Sequence, residues 1–214
     1  WKCFEYFNDI WQARQAASTP GEDLISPLAP GEATKNMAPN EFLGNVLLLI
    51  VGGNDTTRNS ISAGVQALNR FPEEYDKLKG NVSLIPNMVS EIVRWQSPVA
   101  HMCRTAMADV EVGGQQIRKM DKLAIWYLSG NRDEGHFADP NRLMIDRPNV
   151  RQHLGFGYGI HRCLGNRLAE MQLKILWEEI MKRFAHVEVV GDPSYLNSSF
   201  IRGITDLPVR VHDR

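Results

Sequence analysis

The stretch Phe156-Gly157-Tyr158-Gly159-Ile160-His161-Arg162-Cys163-Leu164-Gly165 constrains this chain more than any other part of it. One cysteine ends a loop punctuated by glycines, and an apolar-periodic run starts at once behind it. Leu168, Met171, Leu173, Ile175, Leu176 and Ile180 give that run the pattern of a helix with an apolar side, expected from Gly165 to about Phe184. Cys163 therefore lies near a helix N-terminus, where unpaired N–H groups and the positive end of the dipole favour an anion. Thiolate rather than thiol chemistry is expected in such a setting. The glycines let the backbone turn sharply and approach a flat ligand without Cβ clashes. A loop of this kind presents one soft sulfur ligand and leaves the opposite face of a metal open.

Size and charge narrow the remaining classes. The 214 residues suffice for one domain with a real core. Lys and Arg total 24 against 25 acidic residues, a net charge of −1, so no global bias toward nucleic acid or a membrane surface exists. Three cysteines at wide, irregular spacing make neither a disulfide framework nor a zinc pair, and a reducing compartment is expected. Cys3 and Cys103 lack the frame that surrounds Cys163 and read as small buried hydrophobes. No secretory leader is read, and the longest apolar run, Val46 to Val51, is far too short to span a bilayer.

Hydrophobic period and breakers predict a mainly helical chain with small β elements. Helices are expected over residues 2–16, from about Pro39 to Asn69 with Asn40 as a plausible cap, from Pro72 to Leu78, and from Ile85 to Trp95. Pro98 stops the last of these. Residues 18–38, with three prolines and two glycines, form a loop. Val110, Val112, Ile117, Leu123 and Ile125 read as strand residues, with Gly113-Gly114 as a hairpin turn. Residues 130–155 are loop-rich. Val187 and Val189, then Val209 and Val211, alternate as strands around an irregular turn.

Three further groups of residues carry chemistry. The long helix contains Gly52-Gly53-Asn54-Asp55-Thr56-Thr57, although each interior glycine costs about 1 kcal/mol relative to Ala. At helical spacing Leu48, Val51, Gly52, Asp55 and Thr56 share a face, apolar above and proton-bearing below. The competing reading is a helix kinked at its glycines, with the Thr56 hydroxyl bonded back to a carbonyl. Glu91 and Arg94, three apart, can pair on one helix face, although such pairs are usually solvated. The segment Pro98-Val99-Ala100-His101-Met102-Cys103-Arg104-Thr105 reads as extended chain after that helix.

The loop around Cys163 closely resembles the haem-thiolate loop of the cytochrome P-450 monooxygenases, and the resemblance runs from about Pro39 to the C-terminus. Residues 49–59 (Leu-Ile-Val-Gly-Gly-Asn-Asp-Thr-Thr-Arg-Asn), Trp126-Tyr127, Ser129 to Glu134 and Gly159 to Arg167 look like the bacterial alkane-hydroxylating branch. The resemblance implies the C-terminal part of the P-450 fold, a single haem-thiolate domain whose N-terminal part is absent from residues 1–214. It implies haem b held by Cys163 as axial ligand, with Phe156, Gly157 and Gly165 shaping the loop. Arg104 and His161 would meet the haem propionates, a guanidinium suiting a carboxylate through a bidentate contact. His101 is a third candidate, and a satisfied loop histidine is an equal reading of it. Gly52 and Gly53 would leave room for dioxygen, the Thr56 hydroxyl would steady its reduced form, and Asp55 would feed protons through water. Leu48, Val51, Gly52, Val99, Ala100, Phe200 and Ile201 would line an apolar substrate site. Glu91 and Arg94, joined by a later arginine that the chain order identifies as Arg147, would be a structural trio. Met120 stands where bacterial members carry glycine, and since Met does not easily take φ > 0, a different turn is expected there.

The implied activity is insertion of one atom of O2 into an unactivated C–H bond, with terminal hydroxylation of medium-chain alkanes as the specific form. Fatty acids or terpenes are alternative substrates, and a haem-binding or sensor protein without turnover is an alternative class, against which the acid–alcohol pair at 55 and 56 argues. Electrons would come from a ferredoxin and its reductase, with Arg151, Arg162, Arg167 and Lys174 offering a local basic patch for docking. No nucleic acid and no membrane span are expected, and the location implied is cytoplasmic.

Overall fold

A computed structural model describes residues 2–19 and 21–214. The helices are α1 (Lys2–Ala16), α2 (Pro39–Arg70), α3 (Pro72–Gly80), α4 (Ile85–Gln96), the short α5 (Tyr127–Gly130) and α6 (Asn166–Arg183). The strands are β1 (Met102–Thr105), β2 (Val110–Val112), β3 (Gln115–Ile117), β4 (Lys122–Ile125), β5 (Phe184–Val189), β6 (Ser194–Tyr195), β7 (Ile204–Asp206) and β8 (Val209–Asp213). They form antiparallel pairs, β1 with β4, β2 with β3, β5 with β8 and β6 with β7. The chain divides into two compact units, residues 1–54 and 55–214, and α2 supplies residues to both.

In the first unit Trp11, Ile25, Ala29, Phe42 and Val46 make a small core, with Trp11 and Phe42 ring centroids 4.5 Å apart. Its loop is set by Asp23, whose carboxylate accepts the backbone N–H of Ile25 and Ser26, each at 2.9 Å.

The second unit is built on α4, which is buried almost all round. Ile85, Met88, Val89, Ile92 and Trp95 pack with Leu68, Tyr75, Leu143, Leu173 and Trp177. Gly64 makes the approach to α2 possible: a Cβ there would lie 2.8 Å from Ile92 Cδ1 and 3.0 Å from the Trp177 ring. Helix α4 ends on Ser97 at φ +46°, a left-handed cap directly before Pro98. Two asparagines fasten α2 to the tail. Asn59 Oδ1 accepts Ile204 N–H at 3.1 Å, and Asn69 bonds both Val187 O and Val189 N.

Several expectations change here. The apolar residues of α6 form two stripes, not one. Leu173, Trp177 and Met181 are buried, while Leu168, Met171 and Ile175 are about half exposed. At 100° per residue these two sets lie on opposite faces. Phe184 opens β5 and is not part of α6. Cys3 and Cys103 are exposed, one on α1 and the other on the narrow β1–β4 ribbon, so neither is a buried hydrophobe. Met120 does adopt φ +77°, so the turn keeps its left-handed form with a side chain that disfavours it. That turn is closed by Met120 N–H to Ala106 O at 2.8 Å.

Candidate active site

The loop before α6 is organised by its backbone. Gly157 and Gly159 have φ +67° and +77°, where L side chains are strained, and a Cβ on Gly157 would sit 3.2 Å from the Tyr127 hydroxyl. Gly157 N–H donates to Leu154 O at 2.8 Å, and Cys163 N–H donates to Phe156 O at 2.9 Å. The second bond closes the loop and fixes Cys163 three residues ahead of α6, whose N-cap is Gly165. The thiol is exposed, and it is flanked by apolar side chains turned outward, Ile160 at 99% and Leu164 at 91% exposure. Phe156 points the other way and packs on the core.

What supports the loop from behind was not signalled by the sequence. Asn131, fully buried, accepts Leu154 N–H on Oδ1 at 2.6 Å and donates from Nδ2 to Ser97 Oγ at 2.8 Å. His153 accepts Gly155 N–H on Nδ1 at 3.0 Å, and its ring lies 5.3 Å from that of Phe156. Burial, then the nearby Arg162, Arg94 and Arg151, lower the His153 pKa to about 4. Asn131 does sit in the Ser129–Glu134 stretch whose pattern stood out, but its bonds cross 23 and 34 residues, which no local periodicity reveals.

Asn131 also joins the loop to a buried ionic cluster. Arg94 Nε and Nη2 donate to the two Glu91 oxygens at 2.7 and 2.8 Å, and Arg147 Nε reaches both at 3.2 Å. All three side chains are buried. Two guanidiniums share one carboxylate, and carbonyls take up the remaining donors: Asn131 O and Pro140 O on Arg94, Ala138 O and Asp139 O on Arg147. The structure thus brings the expected trio together, on α4 and the 130–155 loop.

The other expected site residues fall as follows. Asp55 is exposed and contacts Arg58 Nη2 at 3.4 Å, and Thr56 is half-buried. In the first unit Leu48, Val51 and Gly52 are exposed, and α2 is helical throughout, with nothing within 4 Å of a Cβ built on Gly52 or Gly53. Arg104 lies on β1 opposite Leu123 and donates to Cys103 O at 2.9 Å. His161 is exposed in the short helical turn Gly159–His161. His101 is wedged against Trp126 and Phe200, with centroids at 4.5 and 5.9 Å, and its Nδ1 is buried without a hydrogen-bond partner among the described residues. Val99 bridges Ile201, and Ala100 N–H donates to Phe200 O at 2.9 Å. Ala100 is buried, so it backs this surface while Phe200, 42% exposed, forms it. Arg151, Arg162 and Arg167 are exposed near the loop, whereas Lys174 is paired with Glu178 at 3.3 Å. Among the described residues no three His, Cys, Asp or Glu side chains group as a metal cluster, and no helix is long and apolar enough to cross a membrane.

Comparison with known proteins agrees with this arrangement. The Cytochrome P450 family model matches residues 4–205. Linalool 8-monooxygenase of Pseudomonas putida is 42% identical over 205 residues, covering 95% of this chain and 50% of that protein. A methyl-branched lipid omega-hydroxylase of Mycobacterium tuberculosis is 42% identical over 191 residues, covering 88% and 44%. Among solved structures, cytochrome P450-153 from Novosphingobium aromaticivorans superposes with a TM-score of 0.92 at 47% identity, covering 99% of this chain and 52% of that one. CYP153D17 from Sphingomonas gives 0.91 at 50% identity, covering 98% and 52%. The chain spans about half the length of the relatives it matches. With its cysteine loop, its buried Glu–Arg–Arg cluster and these likenesses along nearly its whole length, the chain belongs to the cytochrome P450 family.

Proposed function

We propose that the protein of which this chain is part is a haem-thiolate monooxygenase that hydroxylates a small apolar substrate, with the terminal carbon of a medium-chain alkane as its target. The observation that carries the reading is the exposed Cys163 thiol at the end of a loop closed by its own N–H to Phe156 O.

The family binds haem b and uses O2, and the residues present fit that group. One soft sulfur faces outward between two exposed apolar side chains, Ile160 and Leu164, which suits the face of a flat, apolar macrocycle. No neighbouring cluster of ligating side chains competes for a metal among the described residues, so the sulfur would be the protein's donor and the ring would supply the others. Cys163 would hold the group, with Arg104 and His161 toward its propionates. When bound, the haem supplies O2 reduction and C–H oxidation.

The remaining roles belong to this chain's own side chains. Thr56 Oγ1 would serve as the hydrogen-bond donor at the reacting centre, and Asp55 would supply it with protons through water. The Asp55–Arg58 contact is long and exposed, the kind of ion pair that contributes little, so the carboxylate is available for that exchange. Val99, Phe200 and Ile201 offer an apolar lining, where affinity for an alkane comes from burial at about 25 cal/mol per Å². Arg151, Arg162 and Arg167 suit an acidic ferredoxin as electron donor, mainly by speeding encounter. The alkane reading rests on the sequence pattern of residues 49–59 and 159–167 and on the likeness to the P450-153 structures at 47–50% identity. The relatives named for linalool and for methyl-branched lipids keep terpenes and lipids as the competing substrates.

Two measurements on the full-length holoenzyme test this. Given octane, linalool and a fatty acid, the enzyme should give 1-octanol as the most rapidly formed product; oxidation of linalool or the fatty acid with none of the octane would overturn the alkane assignment. Thr56→Ala should keep haem yet divert a larger share of the reducing equivalents to hydrogen peroxide, because the positioned hydroxyl that assists proton transfer is gone. Unchanged coupling would leave Thr56 as a helix residue only.

A further inference from the structure

A cavity in the 55–214 unit lies apart from the cysteine loop. Its volume is about 450 Å³, and Arg70, Arg132, Arg202, Gln66, Gln96 and Tyr195 are among its lining residues. Three arginines line one space, and none of the described lining residues is acidic. Arg132 is the critical member. Its Nη2 donates to Trp95 O at 2.7 Å, but its Nη1 is buried with no hydrogen-bond partner among the described residues. Burial, followed by the charges of Arg202 and Arg94, lowers the Arg132 pKa to about 10, and burial lowers that of Arg202 as well. The acid that acts on Arg132 is Glu91, already shared between Arg94 and Arg147. Arg202 Nη1 donates to Gln96 O, a contact that satisfies a donor and not a charge.

Half-buried cations with no counter-ion beside them are costly. An oxyanion would offset that cost, because a guanidinium fork meets phosphate oxygens through two parallel bonds. The cavity wall is also held in place. Arg202 N–H donates to Pro98 O at 2.9 Å, Gln96 Nε2 donates to Arg202 O at 2.7 Å, and Gln66 Nε2 bonds the Tyr195 hydroxyl. These bonds anchor the Arg202 segment, and the Arg132 side chain is fixed separately by its bond to Trp95 O. We propose that this cavity is a binding site for a small free phosphate-bearing anion, held between Arg132 and Arg202 with Arg70 at its mouth.

The test uses the full-length holoenzyme, titrated calorimetrically with sodium phosphate against sodium chloride at matched ionic strength. Saturable phosphate binding is expected, with chloride giving none. Arg202→Gln and Arg132→Gln should each weaken it at least about tenfold, the scale of one charge-assisted bond lost. Arg132 also braces Trp95, so Arg70→Gln serves as the variant that leaves the fold intact, since Arg70 is exposed at the end of α2. It should weaken binding about threefold, as expected for a partly screened charge. Glycerol 3-phosphate should compete with inorganic phosphate, while phosphatidic acid vesicles should bind no better than phosphatidylcholine ones. Three results would overturn the proposal: a phosphate response equal to that of chloride, an affinity unchanged in both Arg70→Gln and Arg202→Gln, or binding of phosphatidic acid vesicles without any response to inorganic phosphate. None of these depends on monooxygenase turnover.

Discussion

His153 is held neutral by burial and by three neighbouring arginines, and its Nδ1 is committed to accepting Gly155 N–H. Protonation would turn that acceptor into a donor facing a donor. Its folded-state pKa of about 4 lies below the ordinary 6.5, so the unfolded chain takes up the proton first as pH falls. The stability due to neutral His153 is therefore complete above about pH 6.5 and disappears as pH approaches 4, a difference of roughly 3 kcal/mol. Urea unfolding at pH 7 and pH 5 should show this loss in the native sequence and a much smaller one in His153→Gln, which keeps an acceptor and does not titrate. Equal losses in the two would assign the acid sensitivity elsewhere. Met120 makes a different point. The clash that disfavours φ > 0 was legible, but the chain accepts it, because the closing bonds between Ala106, Met120 and Asp121 hold the turn. Met120→Gly is expected to stabilise the protein by about 1 kcal/mol by relieving that conformation, read as a higher midpoint in thermal unfolding. A lower midpoint would mean that the exposed Met side chain contributes packing.

The helices and hairpin were largely readable because their signals are local. The start of α2 at Pro39, the stop of α4 before Pro98 and the Gly113-Gly114 turn all follow from residues next to the boundary, although Asn40 lies inside the first turn of α2 and does not cap it, the first bond running from Phe42 N–H to Ala38 O. Helix α6 is less legible, since period alone cannot distinguish one broad apolar side from two opposed stripes. Least legible were the polar ties. Asn59, Asn69 and Asn131 look like ordinary polar residues in sequence, and each bonds backbone far along the chain. Asn131 matters most, because it links the α4 cap at Ser97, the Arg94 cluster and the start of the cysteine loop. Asn131→Ala would leave Leu154 N–H unpaired and should cost about 2–3 kcal/mol. Its ferrous–CO complex should also lose the thiolate-type band faster on mild heating than the native protein does. Destabilisation without that faster loss would make Asn131 a general packing residue and not a support of the loop.

Across the whole molecule, polar groups and charge are sorted by task. Glu91, Arg94 and Arg147 are sealed inside and satisfied by carbonyls, an arrangement that favours one geometry over many. Apolar residues are turned outward where the cysteine loop meets α6, around the exposed sulfur. The three cysteines are all exposed, so accessibility does not distinguish them; the closed glycine loop does. The direct measurement is the ferrous–CO spectrum of the full-length protein with each cysteine replaced in turn. Cys163→Ala should abolish the thiolate-type Soret band, while Cys3→Ala and Cys103→Ala should retain it at native intensity. A Cys163→Ala protein that kept the band, or a Cys103→Ala or Cys3→Ala protein that lost it, would contradict the assignment of Cys163 as the haem ligand.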